Sequence, residues 1–199
     1  MEGHLRYRIG KDSVLELMLG DITHETTDAI VNAANSSLFG GGGVDGAIHH
    51  AAGPLLLAEC RKIRDRRGPL PPGQAVVTSA ANLKAKFVIH TVGPVWNGGY
   101  YNEPQILESC YCNSLEQANL KGCTSMSFPS ISTGAYRYPV RLAAKVALRA
   151  VAALLHQPRS VKLVRFVLFD QETHTAYAEA AEELVSLFPH FQIVVAPTS

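Results

Sequence analysis

The sequence predicts an α/β protein: a three-layer α/β/α sandwich with a central mixed, largely parallel sheet. Short apolar runs rich in β-branched residues alternate along the chain with longer segments of helical periodicity. The runs are nearly continuous rather than apolar/polar alternating, as strands covered on both faces must be. With 199 residues, 47% of them hydrophobic and 18% charged, the chain can bury one sizeable core. A single domain over residues 1–199 is therefore expected.

The predicted strands are Val14 to Leu19, Ala29 to Ala33, Ala75 to Thr78, Phe87 to Val92, Ser125 to Phe128, Val161 to Leu168 and Phe191 to Val195. The predicted helices are Asp45 to Ala52, Pro54 to Arg66, Pro104 to Asn119, Pro139 to Leu155 and Glu172 to Leu187. Pro54, Pro104 and Pro139 each open a helical segment, where a missing N–H costs no intrahelical bond. Gly68 to Gly73 and Gly98 to Tyr101 read as surface loops too short to mark a domain boundary.

Composition narrows the function. Eighteen Lys and Arg stand against 17 Asp and Glu, a formal net charge of +1, so no global field draws in a long polyanion and extended nucleic-acid binding is not expected. The segment Met1 to Gly10 lacks the apolar core of a secretion signal, and no run approaches the roughly 18 apolar residues of a membrane span. A cytoplasmic chain is expected. Cys60, Cys110, Cys112 and Cys123 form no dense staple pattern; Cys110 and Cys112 point about 200° apart on a helix and cannot share a metal. Reduced, mostly buried thiols follow. No HExxH or paired CxxC spacing occurs, and His49 and His50 diverge by about 100° on a helix, so no metal is implied.

Four consecutive glycines, Gly40 to Gly43, precede Val44, Asp45, Gly46 and a helix start. Such a loop lets backbone N–H groups approach an anion closely, and the helix that follows adds its positive end, so the segment suits a diphosphate. Gly41, Gly43 and Gly46 also satisfy the G-x-G-x-x-G spacing of a dinucleotide fold. The context differs: five residues, Asn35 to Phe39, separate the loop from its strand, and Ala75 to Thr78 ends in Ser79, Ala80, Ala81 rather than an acid for ribose hydroxyls. A nicotinamide-dependent dehydrogenase is therefore a poor fit.

The strings Gly20-Asp21-Ile22-Thr23, Ala29-Ile30-Val31-Asn32-Ala33-Ala34-Asn35 and Gly40 through His49 closely resemble the macrodomain family. Val88 through Trp96 and Pro129 through Gly134 look like its later signatures, in the same order. The resemblance runs from about Leu15 to Tyr177, and the GGGGVDGAIH form looks like the MacroD-type branch, which includes bacterial O-acetyl-ADP-ribose deacetylases. It implies a macrodomain-like fold that binds ADP-ribose or O-acetyl-ADP-ribose, with mono-ADP-ribosylated proteins as further partners and no cofactor.

The resemblance places Asp21, with Ile22 beside it, against the adenine amino group, and Phe169 under the adenine ring. On residue type alone, Asp21 reads as a turn or cap aspartate and Phe169 as core. It puts the diphosphate between Gly41, Gly42, Gly43, Val44 and Asp45 on one side and Ser132, Thr133, Gly134, Ala135 and Tyr136 on the other, a second stretch of small residues before a helix.

Asn35 and Asp45 match positions facing the distal ribose and are the catalytic candidates; their bland alternative is a pair of loop caps. Asn offers donors and an acceptor, ionised Asp acceptors only. At its ordinary pKa of about 3.9, Asp45 would be a weak base that orients water more than it deprotonates it. Bound diphosphate could hold the attacking water instead, a substrate-assisted route. His49, one turn beyond Asp45, shares its helix face and reads as a structural hydrogen-bonding residue. Without a G-x-S-x-G elbow, and with the cysteines outside these motifs, neither serine nor thiol nucleophile is supported.

One departure stands out. Where the family commonly reads a second glycine after S-T-G-x-Y/F, this chain has Arg137. If φ there is positive the arginine carries strain; if not, the cation can reach phosphate. The expected function is hydrolysis of ADP-ribosyl esters, either O-acetyl-ADP-ribose or ADP-ribose on Asp/Glu side chains. The alternatives are a non-catalytic ADP-ribose reader and removal of a single ADP-ribosyl adduct from nucleic acid.

Overall fold

The computed structural model describes residues 4–157, 159–188 and 190–193. In chain order the elements are β1 His4–Ile9, β2 Ser13–Leu19, a 3-10 turn Ile22–His24, β3 Ala29–Ala34, α1 Gly43–Ala52, α2 Pro54–Arg67, β4 Ala75–Ser79, β5 Phe87–Val92, α3 Glu103–Leu120, β6 Ser125–Phe128, α4 Val140–Leu155, β7 Leu163–Leu168, α5 Gln171–Leu187 and β8 Phe191–Ile193. They form one sheet in the order β4-β5-β3-β6-β7-β2-β1-β8. The five strands from β5 to β2 are mutually parallel; β4, β1 and β8 run antiparallel at the edges.

Neighbouring residues on the central strands face opposite helix layers, which is why their sequence is apolar throughout. Val31, Ile89 and Phe166 join the core under α3, α4 and α5, while Ile30, Val88 and Val167 pack with Ile48, Ala52 and Leu56 of α1 and α2. Each large side chain buried in this way contributes about 1.5 to 3 kcal/mol.

β1 is the element without a sequence prediction. Its residues alternate, with His4, Arg6 and Arg8 exposed and Tyr7 and Ile9 buried. That is a half-buried antiparallel strand, whose polar face hides it from a search for continuous apolar runs. The predicted strand at 161–168 starts two residues later, at Leu163, and in the predicted strand at 191–195, Val194 and Val195 lie outside the described residues. The helices begin and end within two residues of expectation; Pro139 caps α4 rather than starting it, and α1 begins at Gly43.

The parallel strands all point their carboxyl ends the same way, and the residues that follow them supply the site. β2 leads to Asp21, β3 to Asn35, β5 to Gly93, β6 to Ser130 and β7 to Phe169. In an α/β sheet that edge is where ligand crevices form, because successive loops diverge there.

Candidate functional site

Two hollows lie along this edge and share Gly43, Val44, Ser130 and Gly134 as a common wall. The one ending at Phe169 has a volume of about 580 Å³ and the one ending at Asp45 about 360 Å³, each within the span of small-molecule sites. Together they make a continuous cleft.

At the first end, Phe169 follows β7 with its ring 82% exposed, contrary to the reading of an aromatic buried in the core. It lines the hollow with Asp21, Ile22, Val140 and Val167. Asp21 caps the 3-10 turn: its Oδ1 accepts from the Thr23 backbone N–H at 2.9 Å and the Thr23 hydroxyl at 2.7 Å. These bonds, chiefly the backbone one, hold its pKa below the usual aspartate value, so it is an acceptor near neutrality. Cap and cleft roles coexist, since a carboxylate has about four lone-pair sites.

In the middle, α1 starts from Gly42 with no side-chain cap. Its first-turn N–H groups therefore face the cleft as donors, and the helix's positive end adds to them. Gly46 sits one turn in, where a Cβ would lie 2.5 Å from the Gly41 carbonyl oxygen. Any side chain there pushes the glycine loop away from the helix.

The opposing loop is strained. Ser132 has φ 67 and Arg137 has φ 57, a left-handed conformation that costs a non-glycine residue about 1 to 2 kcal/mol. Ser132 Oγ is buried with no hydrogen-bond partner among the described residues, packed so closely that a Cβ on Gly93 would lie 2.0 Å from it. Strain and an orphan hydroxyl at a cleft wall are the marks of a loop held for a ligand. Arg137 thus falls on the strained side of the two alternatives read from the sequence. Replacing it with glycine relieves that strain but frees the unfolded chain, so Arg137→Gly is expected to raise stability by up to about 1 kcal/mol with ADP-ribose affinity within threefold. Urea unfolding and calorimetry check this; a large affinity loss would give the cation a ligand role.

At the far end, Asp45 is 4% exposed and held from three elements. Asn32 of β3 donates from Nδ2 to Asp45 Oδ1 at 2.7 Å, and His49 Nε2 lies 3.5 Å from the same oxygen, an electrostatic contact longer than a hydrogen bond. The other oxygen, Oδ2, faces Gly41: a Cβ at Gly41 would sit 3.2 Å from it and 3.3 Å from Asn35 Nδ2. Glycine at 41 therefore keeps Asp45 and Asn35 open to each other. Asn35 Nδ2 also donates to the Gly40 carbonyl at 2.9 Å, and its Oδ1 accepts from the Ser37 N–H at 3.0 Å, so it does cap its loop.

The sequence expectation of an ordinary aspartate pKa at Asp45 is overturned. Burial raises it, against the opposing pull of the Asn32 hydrogen bond and the charge of His49. Its carboxylate is a better base than an exposed one.

Beneath Asp45 runs a buried relay. Asn32 Nδ2 is also 3.1 Å from His90 Nδ1, and His90 Nε2 is 3.0 Å from Thr78 Oγ1. Because Asn32 turns its NH2 toward Asp45, His90 Nδ1 must accept, which puts the imidazole proton on Nε2. Burial and the nearby His49 charge lower the His90 pKa to about 3. The cost is visible at Asn32 Oδ1, buried with no partner among the described residues. His49, Cys60 and His90 also converge, with ligand atoms within 4.8 Å of one another. They come from α1, α2 and β5, so no spacing rule could connect them. The His90 nitrogens are already engaged by Asn32 and Thr78, and burial pushes the Cys60 thiol up to about 12. All four cysteines are free, three of them buried.

The cleft brings together every residue singled out from the sequence. Asp21, Ile22, Thr133 and Phe169 line one end; Asn35, Gly41, Gly42, Asp45, Ser132, Ala135 and Tyr136 the other; Gly43, Val44 and Gly134 both. Sequence reasoning missed Gly93, Ser130 and Ile131 as lining residues, and Asn32 and His90 beneath them. Gly93 before Pro94 was the available signal, a glycine closing a strand.

Fold and site thus define an α/β protein with an elongated cleft, a helix N-terminus at its middle and a buried carboxylate at one end. The macro domain family matches residues 31–147. A protein of Citrobacter koseri called O-acetyl-ADP-ribose deacetylase is 54% identical over 165 residues, 83% of this chain and 93% of that protein. Among solved structures, the Oceanobacillus iheyensis macrodomain with ADP has a TM-score of 0.87 at 45% identity, covering 94% of this chain and 100% of the other. The Trypanosoma brucei macrodomain in complex with ADP-ribose has a TM-score of 0.75 at 37% identity, covering 84% and 68%. The chain belongs to the macro domain family.

Proposed function

We propose that residues 1–199 act as one domain that binds ADP-ribose and hydrolyses ADP-ribosyl esters, releasing acetate from O-acetyl-ADP-ribose. The observation that carries this is the meeting of Asn35 and Asp45 across Gly41 at the end of a cleft long enough for the whole ligand. Support comes from the relatives named O-acetyl-ADP-ribose deacetylase and from macrodomains solved with ADP and with ADP-ribose.

Adenine lies against Phe169 with its amino group on Asp21, beside Ile22. The diphosphate lies between residues 41–45 and residues 132–136, where main-chain N–H groups and the Ser132 hydroxyl donate to it. The distal ribose reaches Asn35, whose Nδ2 has a second proton beyond the one given to Gly40. Water held by Asp45, with the diphosphate as a second anchor, attacks the acyl carbon. The acyl–oxygen bond breaks, the ribose oxygen takes a proton, and acetate and ADP-ribose leave. Placement of the water supplies much of the acceleration, and the raised pKa of Asp45 lets it accept a proton as well as orient. A reader module has no use for such a carboxylate.

The GGGGVDGAIH stretch supports placement in the MacroD-type branch. Mono-ADP-ribosylated Asp and Glu side chains are the further substrates. Among the described residues no helix is long and apolar enough to cross a membrane, and the free cysteines suit a reducing compartment, which supports work in the cytoplasm. The net charge of +1 argues against extended nucleic-acid binding.

The two ends of the cleft separate by kinetics. Phe169→Ala removes a stacking surface and is expected to weaken ADP-ribose binding roughly tenfold with kcat little changed. Asn35→Ala is expected to lower kcat about a hundredfold with affinity within threefold. Calorimetry with ADP-ribose beside an acetate-release assay reads both, and two variants indistinguishable from wild type would remove the assignment.

A further inference from the structure

We propose that the carboxyl-terminal end of α2 and the groove beside it form a docking surface for an acidic polypeptide, the carrier of an ADP-ribosylated Asp or Glu. The proposal rests on the hydrolase reading above and names the macromolecular substrate of the same site.

Residues 61–67 hold five cations, Arg61, Lys62, Arg64, Arg66 and Arg67, against one acid, Asp65, in a chain whose net charge is only +1. The basic charge is therefore concentrated here and offset elsewhere. Arg61, Lys62 and Arg66 are exposed and make no ion pair among the described residues, so their charge faces solvent. Helix stability does not require so many; one or two cations in the last turn satisfy the dipole.

Position gives the patch its meaning. The loop carrying Asn35 is packed directly on this end of α2: the Leu70 N–H donates to the Ser36 carbonyl at 2.9 Å, and Leu38 is buried with Cys60, Ile63 and Leu70. The Arg64 guanidinium lies 6.0 Å from the centre of the Phe39 ring, and its Nε is buried with no hydrogen-bond partner among the described residues. Phe39 itself is 48% exposed and forms the lip. From that lip a groove of about 450 Å³ runs between Gly40, Gly41, His50, Pro54 and Leu57, sharing Gly41 with the cleft. Whatever is esterified to the distal ribose must leave the cleft here, over glycines that offer no side chain to block it.

The seven residues 61–67 rise about 10 Å along the helix, the length of roughly three residues of extended peptide. That matches a short acidic stretch flanking the modified residue. A nucleic acid would seek a longer cationic track with aromatic faces for its bases, and the one aromatic beside the patch, Phe39, is already covered by Arg64.

The test uses the full chain and two peptides of equal length, each carrying ADP-ribose on one Glu, flanked by acids in one and by Ser and Gly in the other. Wild type should show a KM roughly tenfold lower for the acidic peptide at low salt, a preference erased near 0.5 M salt. Arg61→Glu, Lys62→Glu and Arg66→Glu combined should abolish that preference while O-acetyl-ADP-ribose turnover, which also reports folding, stays at the wild-type level. Equal KM for both peptides in wild type overturns the proposal. So does a triple variant whose defect falls on an ADP-ribosylated oligonucleotide and spares the acidic peptide. If wild type turns over neither peptide nor O-acetyl-ADP-ribose, the hydrolase reading fails by itself. Docking is then read from affinity for the acidic peptide, where weakening in the variant upholds the proposal and unchanged affinity overturns it.

Discussion

Asp45→Asn is expected to lower acetate release from O-acetyl-ADP-ribose at least a hundredfold while leaving a better-folded protein at neutral pH. The catalytic part follows from removing the only ionisable group at the proposed reacting end; general-base assistance contributes about 10² to 10⁴ in rate. The stability part follows from burial. The folded-state pKa of Asp45 is raised, so its ionisation opposes folding as pH rises through that value, and an amide removes the cost. The gain should vanish at low pH, where the carboxyl is already neutral. Asparagine keeps an oxygen for the Asn32 N–H, so the relay persists. ADP-ribose affinity should hold or improve, because a carboxylate near the diphosphate repels it. Turnover within threefold of wild type would remove Asp45 from the mechanism; lower stability at neutral pH would show that its charge is compensated in the fold.

The second large effect lies one layer deeper. His90 is fully buried and its pKa falls to about 3 from 6.5, because desolvation and the His49 charge disfavour the imidazolium. Below about pH 6.5 the unfolded chain takes up a proton that the folded one refuses, so stability falls toward pH 3 with a slope approaching 1.4 kcal/mol per unit. Between pH 7 and 5 this group alone should cost about 2 kcal/mol. Protonation would also place an N–H on Nδ1 against the Asn32 NH2 and break the support of Asp45. His90→Gln should be less stable than wild type at pH 7 by about 1 to 3 kcal/mol. Its further loss on going to pH 5 should nonetheless be smaller by about 2 kcal/mol. Urea unfolding at the two pH values measures both, and equal acid losses in the two proteins would mean that His90 is protonated within the fold.

What the sequence disclosed depended on how local each signal is. Continuous apolar runs exposed the central strands, and Pro54 and Pro104 marked the openings of α2 and α3, because periodicity and punctuation sit within a few residues. β1 escaped since its polar face interrupts the run at His4, Arg6 and Arg8. The glycine loop was legible as an anion site from four adjacent residues and the helix that follows. The relay was not, because Asn32, Asp45, Thr78 and His90 meet only through sheet pairing and the packing of α1 on β3. Asp21 was read two ways, as a turn cap and as a ligand acid, and its geometry permits both. The basicity of Asp45 could not be read from residue type, since burial alone sets its direction.

The most direct measurement of the central claim is multiple-turnover acetate release from O-acetyl-ADP-ribose by the wild-type protein. The account predicts one acetate for each ADP-ribose formed, many cycles per protein molecule, and competitive inhibition by free ADP-ribose. Tight binding of ADP-ribose with acetate appearing no faster than in buffer would contradict it and leave the cleft as that of a reader.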